Sequence, residues 1–395
     1  MEERRFQAPQ AVRYTLEGTA VLVLLLLVAA MGVLYATRPP LRYRATDASS
    51  ETTVRAEVLA VEDEQISEDE NGMVAISQRL RLRILSAGTF AGQEVEVTYN
   101  GLGPALRDVQ FHAGDKVVLM AAIRPDGTAH FAVADRMRLE PLALLLLFFV
   151  LLTVAVGRWQ GVSALVGLVL SFVVIGGFIL PQILSDRDPV LVAVVGSATL
   201  LAITLYFIQG WGPITHTALL GMMASLFITG LLAIGWTSLA HLTGFGSEET
   251  MYLQATGVRL DMRGLFLAGV IIGAAGVLDD VVLAQAVGTF ELAAVNPALG
   301  TRELYRRGMK MGNAHLASMV NTLVLAYTST ALPLLILFYL YTEPWYLTLN
   351  RELIAEELVR TLVGSAGLIL AVPITTALAA WVAPRLGGTG DAATR

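Results

Sequence analysis

No cysteine occurs anywhere in the chain, which excludes disulfides, cysteine-ligated zinc, iron–sulfur clusters and thiol nucleophiles. Charge is scarce as well. Only 15% of the 395 residues are Asp, Glu, Lys or Arg while 55% are hydrophobic, too apolar a balance for a solvated globular surface. The formal net charge is −6 and no basic run is interleaved with aromatics, so nucleic acid is not an expected partner. Phosphate-binding glycine loops, GxSxG elbows and HExxH pairs are missing. The five histidines, at 112, 130, 216, 241 and 315, are scattered rather than set at metal-ligand spacing. The expectation is a protein that is not an enzyme and carries no cofactor.

What the chain does have is long apolar runs. The first, 18–36, follows Arg4, Arg5 and Arg13. It makes ~28 Å of helix, enough to cross the hydrocarbon core. A cleaved signal peptide is the competing reading, but its apolar core is normally ~7–15 residues, so an uncleaved anchor is favoured. Seven more runs follow at about 141–157, 161–183, 189–208, 213–235, 264–290, 314–341 and 359–383. The fold class expected is therefore an α-helical polytopic membrane protein of about eight transmembrane helices, with the lipid bilayer as its first partner.

Between 38 and 139 the pattern changes to short alternating stretches, at 53–61, 74–85, 94–99, 116–124 and 129–133. Turn formers separate them: Asn71-Gly72, Gly114-Asp115 and Asp126-Gly127. Five short strands in about a hundred residues suggest a small all-β, OB-like domain. No aromatic platform lies on the strands, so packing or docking of a protein partner is favoured over binding of an oligomeric ligand. The domains expected are 1–37 (cytoplasmic N-terminus and anchor), 38–139 (β domain), 140–385 (seven-helix transmembrane domain) and 386–395 (tail). The connection 236–263, with Gly244, Gly246, Glu248 and Glu249, is read as an interfacial segment or re-entrant turn.

Orientation follows from the Lys/Arg bias of short loops. With the N-terminus inside, Arg158, Arg302, Arg306, Arg307, Lys310, Arg385 and Arg395 join the N-terminal arginines on the cytoplasmic side. The opposite short loops carry Arg187, Arg259, Arg263, Arg351 and Arg360, with Glu343, Glu352, Glu356 and Glu357. Both termini are thus expected in the cytoplasm and the β domain outside. Arg38, Arg42 and Arg44, just beyond the first run, are local evidence against.

Two adjacent acids, Asp279 and Asp280, stand deep in the 264–290 run. A carboxylate at such depth costs on the order of a few kcal/mol and needs a protein interior, a wet cavity or a partner. At ~100° per residue, Asp280 shares a stripe with Gly269, Gly273, Gly276, Ala284, Val287 and Glu291. That stripe is expected to pack against protein, because small residues let backbones approach. Asp279 falls on a more apolar face with Ile272, Ala275, Leu283 and Ala286. In the next run His315, Thr322, Ala326 and Ser329 form one stripe, and Ala314, Ser318, Asn321, Leu325 and Thr328 another. Asn321 lies at a depth similar to that of Asp280 in the antiparallel arrangement, so the two are expected to share a site. Gln285 is a third candidate on a different face, and Pro333 permits a break in its helix. The Gly-Trp-Gly-Pro turn at 210–213, with His216, is a further candidate mouth of a pocket. The functional reading of the acids is a proton or cation site; the alternative is hydrogen bonding that fastens helices. An intramembrane aspartyl protease would need acids on two opposed helices, and here both are on one.

These residues carry a resemblance. The run 269–292, then Asn296-Pro297, Glu303-Leu304, 308–312, His315 and the NTLVLAY stretch from Asn321 to Tyr327 ending at Leu332-Pro333, resembles the YibE/F-like family of multipass bacterial membrane proteins. The segment 161–189, closed by Pro181 and Pro189, is similar to it too, as is a β domain behind an N-terminal anchor. The resemblance implies a permease-like protein of the bacterial cytoplasmic membrane without implying a substrate. It places the family's acid at Asp280 and makes Asp279 an addition. The acid that often precedes the histidine is here Ala314, and a common glycine is Ser329. The function expected is a transporter for an ion or small solute, with Asp280, Asp279, Gln285, Asn321, Thr322 and His315 as its site. The alternative is a non-transporting scaffold or regulator whose β domain binds a protein partner. The Gly269-xxx-Gly273 spacing suits either an internal contact or a homo-oligomer.

Overall fold

Alternating residues build the strands and apolar runs build the helices of the computed structural model, which describes residues 10–39, 51–68, 74–86, 89–103, 110–123, 129–255, 260–330, 332–340 and 344–387. The chain divides into two compact units, Arg44–Val156 and the combination of Met1–Tyr43 with Gly157–Arg395. Of the residues singled out above, Arg4, Arg5, Arg42, Arg44, Asn71-Gly72, Asp126-Gly127, Arg259, Glu343 and Arg395 lie outside the described ones.

The first unit is a five-stranded antiparallel near-barrel: β1 (Glu51–Glu68), β2 (Val74–Ile84), β3 (Glu94–Gly103), β4 (Lys116–Ile123) and β5 (Ala129–Arg136), in the order β3-β2-β1-β4-β5. β1 is long because it serves two neighbours. Its first half pairs with β4 and its second half with β2, and irregularities between Val58 and Ala60 and between Val61 and Asp63 bend it. The inward residues alternate as expected of strands with one buried face. Val54, Ala56, Val58, Leu80, Leu82, Ile84, Val97, Val117 and Leu119 form the core with Phe111. One polar side chain enters it. Gln78 donates from Nε2 to the Phe111 carbonyl at 3.2 Å and accepts from the Phe111 amide at 2.9 Å, so its amide completes the hydrogen bonding of a strandless turn. Gly114, at φ 94°, turns the chain before β4, and Asp115 Oδ2 accepts from the His112 amide at 2.9 Å.

The helices are α1 (Gln10–Ala36), α2 (Leu139–Val174), a π-turn at Ile175–Ile179 leading into α3 (Leu180–Leu184), α4 (Pro189–Gln209), α5 (Pro213–Leu239), α6 (Glu248–Ala255), α7 (Met262–Val295), α8 (Thr301–Thr330), α9 (Leu332–Leu340), α10 (Trp345–Asn350) and α11 (Glu352–Gly387). Six segments are long and apolar enough to cross a membrane: Thr15–Ala36, Leu139–Leu184, Pro189–Gln209, Pro213–Leu239, Met262–Val295 and Glu352–Leu386. The runs expected at 141–157 and 161–183 meet at a kink, where the backbone of Arg158 is non-helical (φ 50°, ψ −126°), so α2 consists of two helices joined there. The expected run at 314–341 divides between α8 and α9, and the polar residues of α8 keep it out of the six.

In the helical unit α5, α7 and α11 pack together, with α4 against α7 and α8 against α11 and α7. Alanines from five helices, among them Ala20, Ala198, Ala218, Ala275 and Ala371, fill the core, and glycines permit the closest approaches. A Cβ on Gly221 of α5 would sit 2.7 Å from Thr375 Oγ1 of α11. One end of the bundle gathers Leu16, Phe290, Ala293, Leu304, Ala383 and Leu386. At the other end Gln182 Nε2 donates to the Leu34 carbonyl at 3.1 Å, and the loop before α6 is clasped by α11. There Glu352 accepts from the Thr243 hydroxyl at 2.7 Å and the Gly244 amide at 3.1 Å, while Glu356 accepts from the Gly246 amide at 3.1 Å. The connection read as interfacial or re-entrant is thus a glycine loop held by two carboxylates, followed by the short α6.

Candidate functional site

α7 is ~51 Å long at 1.5 Å per residue, and Asp261 caps its start by accepting from the Gly264 amide at 3.0 Å. Asp279 stands ~26 Å along it, near its middle. Consecutive residues diverge by ~100°, and the two acids accordingly meet different surroundings. Asp279 is half-buried and lines a cleft of about 410 Å³ between the second part of α2, α4 and α7. Asp280 is exposed.

The cleft walls are mainly apolar, with hydroxyls set among them: Ser171 on α2 and Ser197 and Thr204 on α4. Ser171 donates to the Gly167 carbonyl at 2.9 Å, and Thr204 donates to the carbonyls of Leu200 and Leu201 at 3.0 and 3.1 Å. Their protons are therefore spent on their own helices, and their oxygen lone pairs remain to accept. Ser197 is 3% exposed and has no hydrogen-bond partner among the described residues. Asp279 likewise has neither a hydrogen bond nor an ion pair among them. Carboxylate and hydroxyl oxygens facing one space suit a proton, a cation or a donor-bearing solute. Among the described residues no three His, Asp or Glu side chains cluster as ligands of a metal would.

The other sequence candidates are dispersed. The stripe expected to pack inward lies open: Gly269, Gly273, Gly276, Asp280, Ala284 and Glu291 are exposed. The reason is where α8 docks. Its apolar residues Leu316, Met319, Val320 and Leu323 cover Val277 and Val281, to one side of the stripe, and α4 and α2 cover the other. Asn321, ~200° around α8 from Leu323, faces outward and is exposed, as are Thr322 and His315. Among the described residues no hydrogen bond joins Asp280 and Asn321, and both are exposed. Thr322 donates to the Ser318 carbonyl at 3.0 Å. Gln285 is buried and joins three helices, donating from Nε2 to the Gly308 carbonyl of α8 at 2.8 Å and to Thr376 Oγ1 of α11 at 2.6 Å. His216 is buried, its Nδ1 2.7 Å from the Tyr206 hydroxyl, and Trp211 stacks on Tyr206 at 4.9 Å. That makes the 210–213 turn a packed aromatic corner. Sequence reasoning passed over Ser171, Ser197 and Thr204; the signal available was hydroxyls inside two otherwise apolar runs.

Six apolar spans, three of which border the cleft at Asp279, define a multi-pass membrane protein. Residues 145–385, more than half of the chain, match the model of the YibE/F-like protein family. The chain belongs to that family. No curated protein and no solved structure matches it.

Proposed function

We propose that the protein is a permease for a cation or small solute, in which Asp279 is the titrating or coordinating group of an intramembrane site. The observation that carries this reading is the unpartnered Asp279 carboxyl in a cleft whose other polar groups, Ser171, Ser197 and Thr204, present acceptor oxygens or a free hydroxyl. An acid kept at that depth at a cost on the order of a few kcal/mol, with no structural partner, is explained by exchange with a transported species. Asp280 is then a second acid near the same depth on the open face.

In this reading eight helical passes carry the chain across the membrane, the break at Arg158 separating two of them and α8 with α9 supplying another. Both termini and the basic start of α8 face the cytoplasm. The β unit lies outside and is OB-like: β1 pairs with both β2 and β4, and β3 approaches β5, the order of that barrel. The same unit supports the second reading, a scaffold or regulator that recruits a protein partner through it.

The test is charge displacement on solid-supported membranes loaded with the purified chain. A jump from pH 8 to pH 6 is expected to give a transient current in wild type that Asp279→Asn abolishes. Equal currents in the two, or none in wild type, would set the permease reading aside in favour of the scaffold.

A further inference from the structure

The start of α8 is built as a one-sided basic surface. Leu304, Gly308 and Gly312, spaced four apart, are buried on its inner face. Leu304 packs among Ala379, Ala380 and Ala383 of α11, and a Cβ on Gly308 would meet Thr376 and Thr289. That contact fixes what points away. Arg302, Arg306 and Lys310, also four apart, lie ~160–240° around the helix from Leu304 and are exposed.

With Glu303, Tyr305, Met309 and Asn313 the three cations line an open depression of about 760 Å³, three cations to one carboxylate. Arg306 shares the Glu303 carboxylate with Arg307, each at 2.8 Å, whereas Arg302 and Lys310 have no ion pair among the described residues. The row spans ~12 Å, and its half-buried Tyr305 and Met309 supply apolar wall beneath the charges.

A second feature marks the level of this row in a bilayer. On α11, beside the alanines that receive Leu304, Trp381 is 46% exposed and the Arg385 guanidinium lies 4.5 Å over its ring. An exposed tryptophan with a cation at one end of an apolar helix is the pattern of the headgroup region. The basic row thus sits where lipid phosphates lie, and its unpaired cations complement them.

We propose that this depression is a binding site for an anionic glycerophospholipid, whose phosphodiester is held by Arg302, Arg306 and Lys310 and whose glycerol backbone rests on Tyr305 and Met309. The inference is independent of any transport through the cleft at Asp279.

The experiment is native mass spectrometry of the delipidated full chain in nonionic detergent, titrated with phosphatidylglycerol or phosphatidylcholine. Wild type is expected to retain phosphatidylglycerol in preference, with 0.5 M salt in the titration reducing the preference. R302Q/K310Q is expected to lose it by roughly tenfold or more, while R302K/K310R keeps most of it. Millimolar inorganic phosphate is expected to leave the lipid adduct in place. No preference in wild type, an unchanged preference in R302Q/K310Q, or displacement by inorganic phosphate would each overturn the proposal. Because the salt and phosphate arms use wild type alone, it stays exposed to failure even if the double variant folds poorly.

Discussion

Asp279 and Asp280 are consecutive on α7, yet the first looks into the cleft shared with Ser197 of α4 and the second lies on the open face with Gly273 and Ala284. The separation is a plain consequence of helical geometry. One step along the helix turns a side chain by ~100°, which is the angle between the face that α4 and α2 cover and the face left open beside α8. Two acids adjacent in sequence therefore have different surroundings, and substituting one does not stand in for substituting the other.

Gln285 fastens α7 to α8 and α11 through a single amide nitrogen. Gln285→Leu keeps the volume and removes both hydrogen bonds. A loss of about 1 kcal/mol is expected, since interhelical hydrogen bonds in membranes are modest. Thermal unfolding in detergent checks it, and charge displacement on a pH jump is expected to persist, because Gln285 does not line the cleft.

Glycines of the bundle divide into those that a methyl group would crowd and those with space. Gly221→Ala would bring its Cβ to 2.7 Å from Thr375 Oγ1 and 3.4 Å from the Thr375 Cα, so destabilisation is expected. Thr375→Ala in the same chain is expected to restore most of it. At Gly269 nothing lies within 4 Å of the added carbon. Gly269→Ala is expected to be neutral or to stabilise the helix by up to ~1 kcal/mol. Melting temperatures of the three variants decide between these outcomes.

Much of the architecture was written in periodicity. The starts of β2, β3, β4 and β5 at Val74, Glu94, Lys116 and Ala129 follow from alternation. β1 extends past the apolar stretch because Asp63, Glu64 and Gln65 keep pairing with β2 although their side chains bury nothing. The gap between the runs 141–157 and 161–183 coincides with the kink at Arg158, because the apolar pattern lapses at Arg158 and Gln160. Periodicity cannot say which neighbour covers a face. Residue size and the cost of a carboxylate facing lipid point the glycine stripe of α7 inward, whereas the docking of α8 over Val277 and Val281 leaves it open. The cleft hydroxyls escaped notice because Ser171, Ser197 and Thr204 are far apart in sequence and meet only through the packing of α2, α4 and α7.

At the start of α8, Glu303 accepts from both Arg306 and Arg307, and these bonds pull its carboxyl down from 4.5 to about 2. A carboxylate lowered on folding contributes stability that is complete above its ordinary value and is lost as pH falls through its folded one. The first turn of α8 is therefore expected to be insensitive to pH between 8 and 5 and to loosen only as pH falls toward about 2. A carbon-13 carboxyl titration, with Glu303→Gln to assign the resonance, measures the midpoint directly.

The absence of cysteine makes the central claim directly testable, because one introduced thiol is the only thiol in the chain. Ser197→Cys places it in the cleft facing Asp279, and Ala202→Cys places it in the dry alanine core of the same helix. Both variants, reconstituted in liposomes, are treated with a small cationic methanethiosulfonate. Modification of Cys at 197 but not at 202, slowed in the Ser197→Cys chain by adding Asp279→Asn, is the result expected of a hydrated, cation-accepting cleft. Equal protection of the two thiols would contradict it.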